Sequence, residues 1–501
     1  MRNQILAAAA TLLITATAAA AADKVDMPAP ILPPPPAERT DAVKPFVKVP
    51  AGQIVIYNVR VIDGTGSAPK PNRTVFIDGA KITSIMPAEV PVPPGAKWID
   101  GTGMTLIPGL IGMHDHQYYI ARPNLTADGH SHDPLLVPQM TFSSPKMYLA
   151  AGVTTLRTTG SVETYADLNM KRAIDEGRLA GPHMDVTGPY LEGEGSPFIQ
   201  MHQIATPAEA RGMVNYWADR GVTSFKAYMN ITRANLKAAI DAAHARGIKV
   251  TGHLCSITYP EAAALGIDNL EHGFFVNTQN DPGKKPDQCP DTAGNPTIAA
   301  MDPASADAKA LIATLVKHKV AITSTLPVFE TRSPNYRKLP QKQLDMLSAE
   351  ARADYEKIFA LTKSRKPEQA AAAHAMWKNA LGLERAFVAA GGLLLAGPDP
   401  TGGGQVLPGF GNQRALELLV EAGFTPVEAI RIATSNAATY MGVATHTGTI
   451  AVGKNADLVL VKGDPSTDIT AIENVETAFK DGVGYDPAKL LEAVKGRYGQ
   501  Y

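Results

Sequence analysis

Pro108-Gly109-Leu110-Ile111-Gly112-Met113-His114-Asp115-His116 is a short apolar run that ends in two histidines spaced i, i+2. A strand turns alternate side chains to opposite faces, so His114 and His116 project to one side and Asp115 to the other. Two neutral imidazoles so placed can hold one metal ion. Such a pair is also common among ordinary surface and core histidines, so the rest of the chain must decide.

Downstream of this run the sequence alternates strand and helix. Strands are predicted at Thr105–Met113, Thr154–Thr158, Met184–Thr187, Ser224–Tyr228, Lys249–His253, Asn269–Glu271, Ala321–Thr325 and Leu393–Ala396. Helical patterns lie between most of them, as at Pro207–Arg220, Arg233–Arg246 and Ala304–His318, and Gly221 and Gly247 end two of these. Eight such units predict a (β/α)8 TIM barrel over 108–443, with its site at the C-terminal strand ends. The competing doubly wound sheet would carry a Gly-rich phosphate loop after its first strand, where this chain has His-x-His. Upstream, Ile54–Tyr57, Thr74–Ile77 and Lys81–Ile85 read as strands, punctuated by Asp63-Gly64, Asp78-Gly79 and Asp100-Gly101. A β pattern returns at Asp457–Val461. The two ends therefore predict a small discontinuous β-sandwich, from 51–107 and 444–501, the latter closing with a helix. Two inserts, Asp281–Pro303 and Thr331–Gln369, follow barrel strands and read either as a roof over the site or as surface elaboration.

The chain has 501 residues, 45% of them hydrophobic, and a formal net charge of -1. That is enough for a large core, and it carries no basic block that would favour nucleic acid. Arg2, the apolar run Ile5–Ile14 and Ala20-Ala21-Ala22 read as a signal peptide over 1–22, predicting an exported protein, periplasmic or secreted. The apolar run is short for a membrane span, and no later segment is apolar enough for one. Residues 23–50, with Pro33-Pro34-Pro35-Pro36, read as a Pro-rich linker. Cys255 and Cys289 are the only cysteines. They read equally as a bridge or as two separate thiols.

Candidate chemistry gathers at the predicted strand ends: His114 and His116, Lys226, His253, His272 and Asp399. This order resembles the amidohydrolase superfamily, specifically its imidazolonepropionase-like and Xaa-Pro or Xaa-Arg dipeptidase-like members. The resemblance rests on "PGLIGMHDH", "NLEHG" and the closing "GTIAVGKNADLVLVKGDP", and it covers the mature chain. It implies two divalent ions, with zinc the leading candidate. His114, His116 and Asp399 would hold one ion and His253 and His272 the other. Lys226 would be N6-carboxylated and bridge them. A metal ion lowers the pKa of bound water and polarises a carbonyl, which is what amide hydrolysis near neutral pH needs. Asp399 would serve as general acid and base.

Each residue also has a plainer reading. Lys226 reads as a snorkelling lysine, Asp399 as a helix cap, and His253 and His272 as core histidines. Tyr228, two residues past Lys226, reads as an oxyanion donor or a packing tyrosine. His202 is a looser candidate for substrate contact. Glu192 and Glu194 read as contacts for a cationic side chain or, as surface glutamates usually do, as meeting water, and His130 and His132 as facing solvent. The leading expectation is an exported binuclear hydrolase of a small amide or peptide, of the dipeptide or N-acyl amino acid type. A mononuclear amidohydrolase or deaminase, a lactone or ester hydrolase, and an exported metal-binding protein are the alternatives. The sequence leaves an oligomer open.

Overall fold

The computed structural model describes residues 31–87, 94–121, 126, 135–196, 198–333 and 336–500. The segment expected as a signal peptide lies outside these residues, as do His130 and His132.

Eight short parallel strands form the barrel: β1 (Leu110–Gly112), β2 (Val153–Arg157), β3 (His183–Asp185), β4 (Ser224–Ala227), β5 (Lys249–Gly252), β6 (Asn269–Glu271), β7 (Ala321–Ser324) and β8 (Leu394–Ala396). β1 to β3 pair in sequence, and so do β4 to β8. The two sets join where Thr187 bridges Ser224 in parallel. The circle closes where Met113 N donates to Ala396 O at 3.0 Å. Apolar residues alternate along these strands with polar ones such as Lys226, Thr251, Asn269, Glu271 and Thr323. Ile322, Leu394, Val250, Leu270 and Phe225 are all buried. Helices alternate with the strands, among them Pro207–Ala218, Arg233–His244 and Ala306–Lys317. Thr206, Thr232 and Ser305 cap those three through their side chains.

The two chain ends build one β unit, a nine-stranded sheet. Leu458–Lys462 from the C-terminal part runs antiparallel to Met104–Pro108 from the N-terminal part. The sheet curls until Lys81 bridges Asn455, enclosing Ile54, Ile56, Val75, Leu458 and Phe479.

The structure departs from the sequence reading in two places. The run Thr105–Met113 is two strands: Met104–Pro108 belongs to the sandwich and β1 to the barrel. Gly109 is the joint. A Cβ there would lie 2.1 Å from Thr154 Oγ1, so only glycine lets the chain pass so close to β2. The other departure is the far end of the Pro-rich stretch, which is packed onto the body. Thr40 N donates to Gly177 O at 3.0 Å, Val43 is buried, and Val47–Val49 pairs antiparallel with Val483–Tyr485. Val43 and Val49 find apolar partners, and the strand supplies the backbone bonds that a free linker would leave to water.

Candidate metal centre

The end of each contributing strand delivers one part of the site. His114 and His116 follow β1, Lys226 lies in β4, His253 follows β5, His272 follows β6, and Asp399 sits in the turn after β8. The closure of β8 on β1 depends on Gly397, where a Cβ would lie 2.3 Å from the His114 backbone nitrogen. Asp399 N then donates to His114 O at 3.0 Å. His272 and Asp399 both take left-handed backbone angles, with φ of 69° and 58°. Non-glycine residues there are strained by about 1–3 kcal/mol each, a cost that concentrates at functional sites.

The structure brings these six side chains together. Asp399 Oδ1 lies 3.1 Å from His116 Nε2 and 3.5 Å from His114 Nε2, and its Oδ2 lies 3.7 Å from His272 Nδ1. Lys226 Nζ is 3.3 Å from His114 Nε2. The His253 and His272 rings are 4.4 Å apart, and those of His114 and His272 are 4.6 Å apart. One ligand atom each from His114, His272 and Asp399 fits within 4.8 Å. His114, His116, His272, Lys226 and Asp399 are all buried.

Burial sets the protonation states. It pushes all four imidazoles down, His253 to about 3, with the Lys226 charge adding to the effect on His114 and His253. Neutral imidazole is the form that binds metal. Burial also lowers the Lys226 amine to about 8, against the opposing pull of Asp399 and Glu271. For Asp399, burial alone would raise the carboxyl, but His114, His116 and Lys226 together hold it well below the usual range.

Glu271 and Arg157, which the sequence reading missed, lie beneath this cluster. Glu271 Oε2 is 2.7 Å from His114 Nδ1. Its Oε1 accepts from Arg157 Nη2 and from Asn269 Nδ2, each at 2.7 Å, and from the Thr251 hydroxyl. Glu271 thus keeps the His114 proton on Nδ1 and leaves the Nε2 lone pair facing the centre. That lone pair, an Asp399 carboxylate oxygen 3.5 Å away and the Lys226 amine at 3.3 Å gather around one point. His272 Nε2 is buried without a hydrogen-bond partner, while its Nδ1 meets Thr325 Oγ1 at 2.9 Å. The donor set and its unpaired atoms therefore fit a divalent ion. The available signal for Glu271 was its two-residue spacing from Asn269, which turns both side chains into the barrel.

The remaining candidates divide. Tyr228 stands beside the centre, its ring edge-on to His253 at 5.0 Å. Tyr190 packs edge-on against Tyr228 at 4.9 Å, and the Tyr190 and Tyr118 hydroxyls meet at 2.6 Å. His202 is not part of the cluster. It is exposed, and its Nε2 meets Glu209 Oε1 at 2.6 Å. Glu209, on the helix Pro207–Ala218, holds the ring outside. Glu192, expected to meet water, is fully buried instead, because its Oε1 accepts the backbone N–H groups of Gly193 and Asn230 at 2.7 and 2.8 Å. Glu194 is exposed. Cys255 and Cys289 form a disulfide.

A barrel whose strand ends converge on four histidines, a lysine and an aspartate defines a class of hydrolase, and the comparisons agree. The amidohydrolase family matches residues 105–483, and the chain belongs to that family. It is a hydrolase of carbon–nitrogen bonds. Similar solved structures include a putative prolidase from Bifidobacterium longum, 23% identical, TM-score 0.61, covering 89% of this chain and 99% of that one. Another is a Xaa-Pro dipeptidase with bound methionine in the active site, 20% identical, TM-score 0.64, with coverages of 87% and 100%. A bottromycin amidohydrolase is 18% identical, TM-score 0.65, with coverages of 90% and 93%. No curated protein aligns with the chain by sequence. Among the described residues, no helix is long and apolar enough to cross a membrane.

Proposed function

We propose that the protein is an exported binuclear amidohydrolase that cleaves the amide or peptide bond of a dipeptide or an N-acyl amino acid. The observation that carries this reading is the convergence of His114, His116, Lys226, His253 and His272 around Asp399. Prolidase-like and dipeptidase-like structures among the similar folds support the substrate class. Export accords with the disulfide, a bond that persists in oxidising compartments.

In this reading His114, His116 and Asp399 would hold one divalent ion, zinc by donor type, and His253 and His272 would hold the other. The ions, when bound, polarise the scissile carbonyl and lower the pKa of water. Lys226, its amine lowered to about 8 by burial, would as a carbamate, formed by adding carbon dioxide and giving up a proton, supply an anionic ligand to the ions. Asp399 accepts the proton of the attacking water and passes it to the departing amine. Tyr228 donates its hydroxyl to the charge developing on the carbonyl oxygen.

Lys226→Ala tests the bridge. The expected result is loss of one metal equivalent by elemental analysis, together with collapse of turnover on a panel of dipeptides and N-acyl amino acids. Retained metal and retained turnover would overturn it in favour of a mononuclear centre.

A further inference from the structure

Beyond β7 the chain runs along the metal centre and then out to solvent. Thr325, just past the strand, meets His272 Nδ1 through its hydroxyl at 2.9 Å. Phe329, on the short helix Leu326–Glu330, packs edge-on to the His272 ring at 5.7 Å and stacks on Phe275 at 4.0 Å. Arg332 follows, and its guanidinium carbon lies over the Phe329 ring, 5.3 Å from the centroid. Two ring contacts thus join this guanidinium to an imidazole of the centre. The segment is pinned along its backbone. Arg332 N donates to Phe329 O at 3.0 Å, the Thr331 hydroxyl donates to Val328 O at 2.6 Å, and Arg365 donates to Arg332 O. Beyond burial, the charges of Lys226 and Arg157 bear on His114, and those of Lys226 and Arg332 bear on His253. Lys226 is buried inside the cluster, and Arg157 is buried beneath it, bound to Glu271 and to Met113 O. Arg332 alone of these three is exposed, so a molecule entering from solvent can reach it.

We propose that Arg332 binds the free α-carboxylate of the amino acid on the leaving side of the scissile bond. On the amide-hydrolase reading above, on which this assignment rests, dipeptides and N-acyl amino acids share one charged group. It is that carboxylate, three bonds from the carbonyl carbon under attack. Their acyl sides differ, since the dipeptide carries an ammonium there and the N-acyl compound does not. A guanidinium is planar and donates to both carboxylate oxygens at once. Seated on Phe329, it gains cation–π attraction and keeps a restricted position before substrate arrives. A C-terminal amide offers it a single neutral acceptor, and a cationic group would be repelled. The protein therefore selects substrates with a free C-terminal carboxylate and tolerates variation on the acyl side.

The test pairs turnover with binding on the metal-loaded full chain. The substrates are alanyl dipeptides and N-acetyl derivatives of leucine, phenylalanine, proline and arginine, each as the free acid and as the C-terminal amide. The free acids should be preferred about tenfold or more in kcat/KM. Arg332→Met should raise KM for the acids by a similar factor, with kcat close to wild type and with the amides and the melting temperature unchanged. Arg332→Lys should restore part of the affinity. An Arg332 with only a structural role would move acids and amides together. Equal turnover of acids and amides by the wild type, or a preference that survives Arg332→Met, would overturn the proposal and leave the hydrolase reading standing. Calorimetric titration with the same free amino acids and with the corresponding amino alcohols, which lack the carboxylate, reads the contact without hydrolysis. Each amino acid should bind more tightly than its alcohol in the wild type and no more tightly in Arg332→Met. If no substrate is cleaved, the hydrolase reading falls, and this binding difference then decides alone: its presence sustains the carboxylate site and its absence overturns it.

Discussion

Glu271 controls His114 from behind, and its contribution can be separated from that of the ligands. Glu271→Gln keeps the shape but removes the charge that holds the proton on Nδ1. Metal affinity should fall about 10- to 100-fold, read by competition with a chelator. The variant also leaves Arg157 buried without its ion partner, so a lower melting temperature should accompany the loss. Asp399→Asn asks a different question. An amide cannot carry the proton from water to the leaving amine, so kcat should drop about 10²- to 10⁴-fold. A turnover close to wild type at normal metal content would remove Asp399 from proton transfer. The four histidines were legible in the sequence because each follows an apolar strand run, where a barrel places its chemistry, whereas Lys226 and Asp399 stood out through the resemblance to the amidohydrolase superfamily. Arg157 was not legible, because a buried charge within an apolar strand leaves no mark in a hydrophobic pattern, and Glu271 showed only in its two-residue spacing from Asn269. His202 shows the converse: a loop position carries no periodicity, so nothing in the sequence told its direction.

At the scale of the elements, strand ends were readable to within a residue or two, because apolar runs stop where barrel strands stop. The junction of sandwich and barrel was not readable. Met104–Pro108 and Leu110–Gly112 lie in line, and two apolar strands in series give the pattern of one. The inserts were equally opaque, since polar composition says nothing about what a loop touches. The disulfide now gives one of them an anchor. Cys255 lies two residues beyond His253, and Cys289 lies within the insert 281–303, so the bond ties that insert to the loop that carries His253. Thr278 Oγ1 adds a hydrogen bond to Cys255 O at 2.8 Å. The bond closes a loop with a sequence separation of 34, and a bridge of this kind stabilises by about 2–4 kcal/mol. Cys289→Ser should therefore lower the melting temperature under oxidising conditions and bring it to that of the reduced wild type. An unchanged melting temperature would mean that the insert is held by its other contacts.

The barrel and the sandwich meet across a second buried cluster, far in sequence from the first. His183 opens β3, Asp457 precedes the sandwich strand Leu458–Lys462, and Lys480 and Asp481 end the strand Val475–Lys480 and begin its hairpin turn. His183 Nε2 lies 3.1 Å from Asp481 Oδ1, Lys480 Nζ lies 3.0 Å from Asp481 Oδ2, and Asp481 N donates to Asp457 Oδ1 at 2.9 Å. The His183, Asp457 and Asp481 ligand atoms are close enough for a metal. Here, however, Lys480 already supplies a cation, so a divalent ion would leave excess positive charge in a dry interface. The electrostatics favour a latch made of protein groups. Burial alone would raise the Asp481 carboxyl, but Lys480 and His183 outweigh it and hold the group far below its ordinary value. A carboxyl depressed in the folded state adds stability above its unfolded pKa, near about 3.9, and that stability disappears as pH falls through the folded value. Asp481→Asn should thus destabilise the protein by about 3–5 kcal/mol near neutrality, because it strands Lys480 in the interface. The gap between wild type and variant in denaturant midpoint should shrink steadily as the pH is taken below about 4. A gap that stays constant down to the acid limit would show that shape and hydrogen bonding at this turn, rather than charge, join the two halves of the chain.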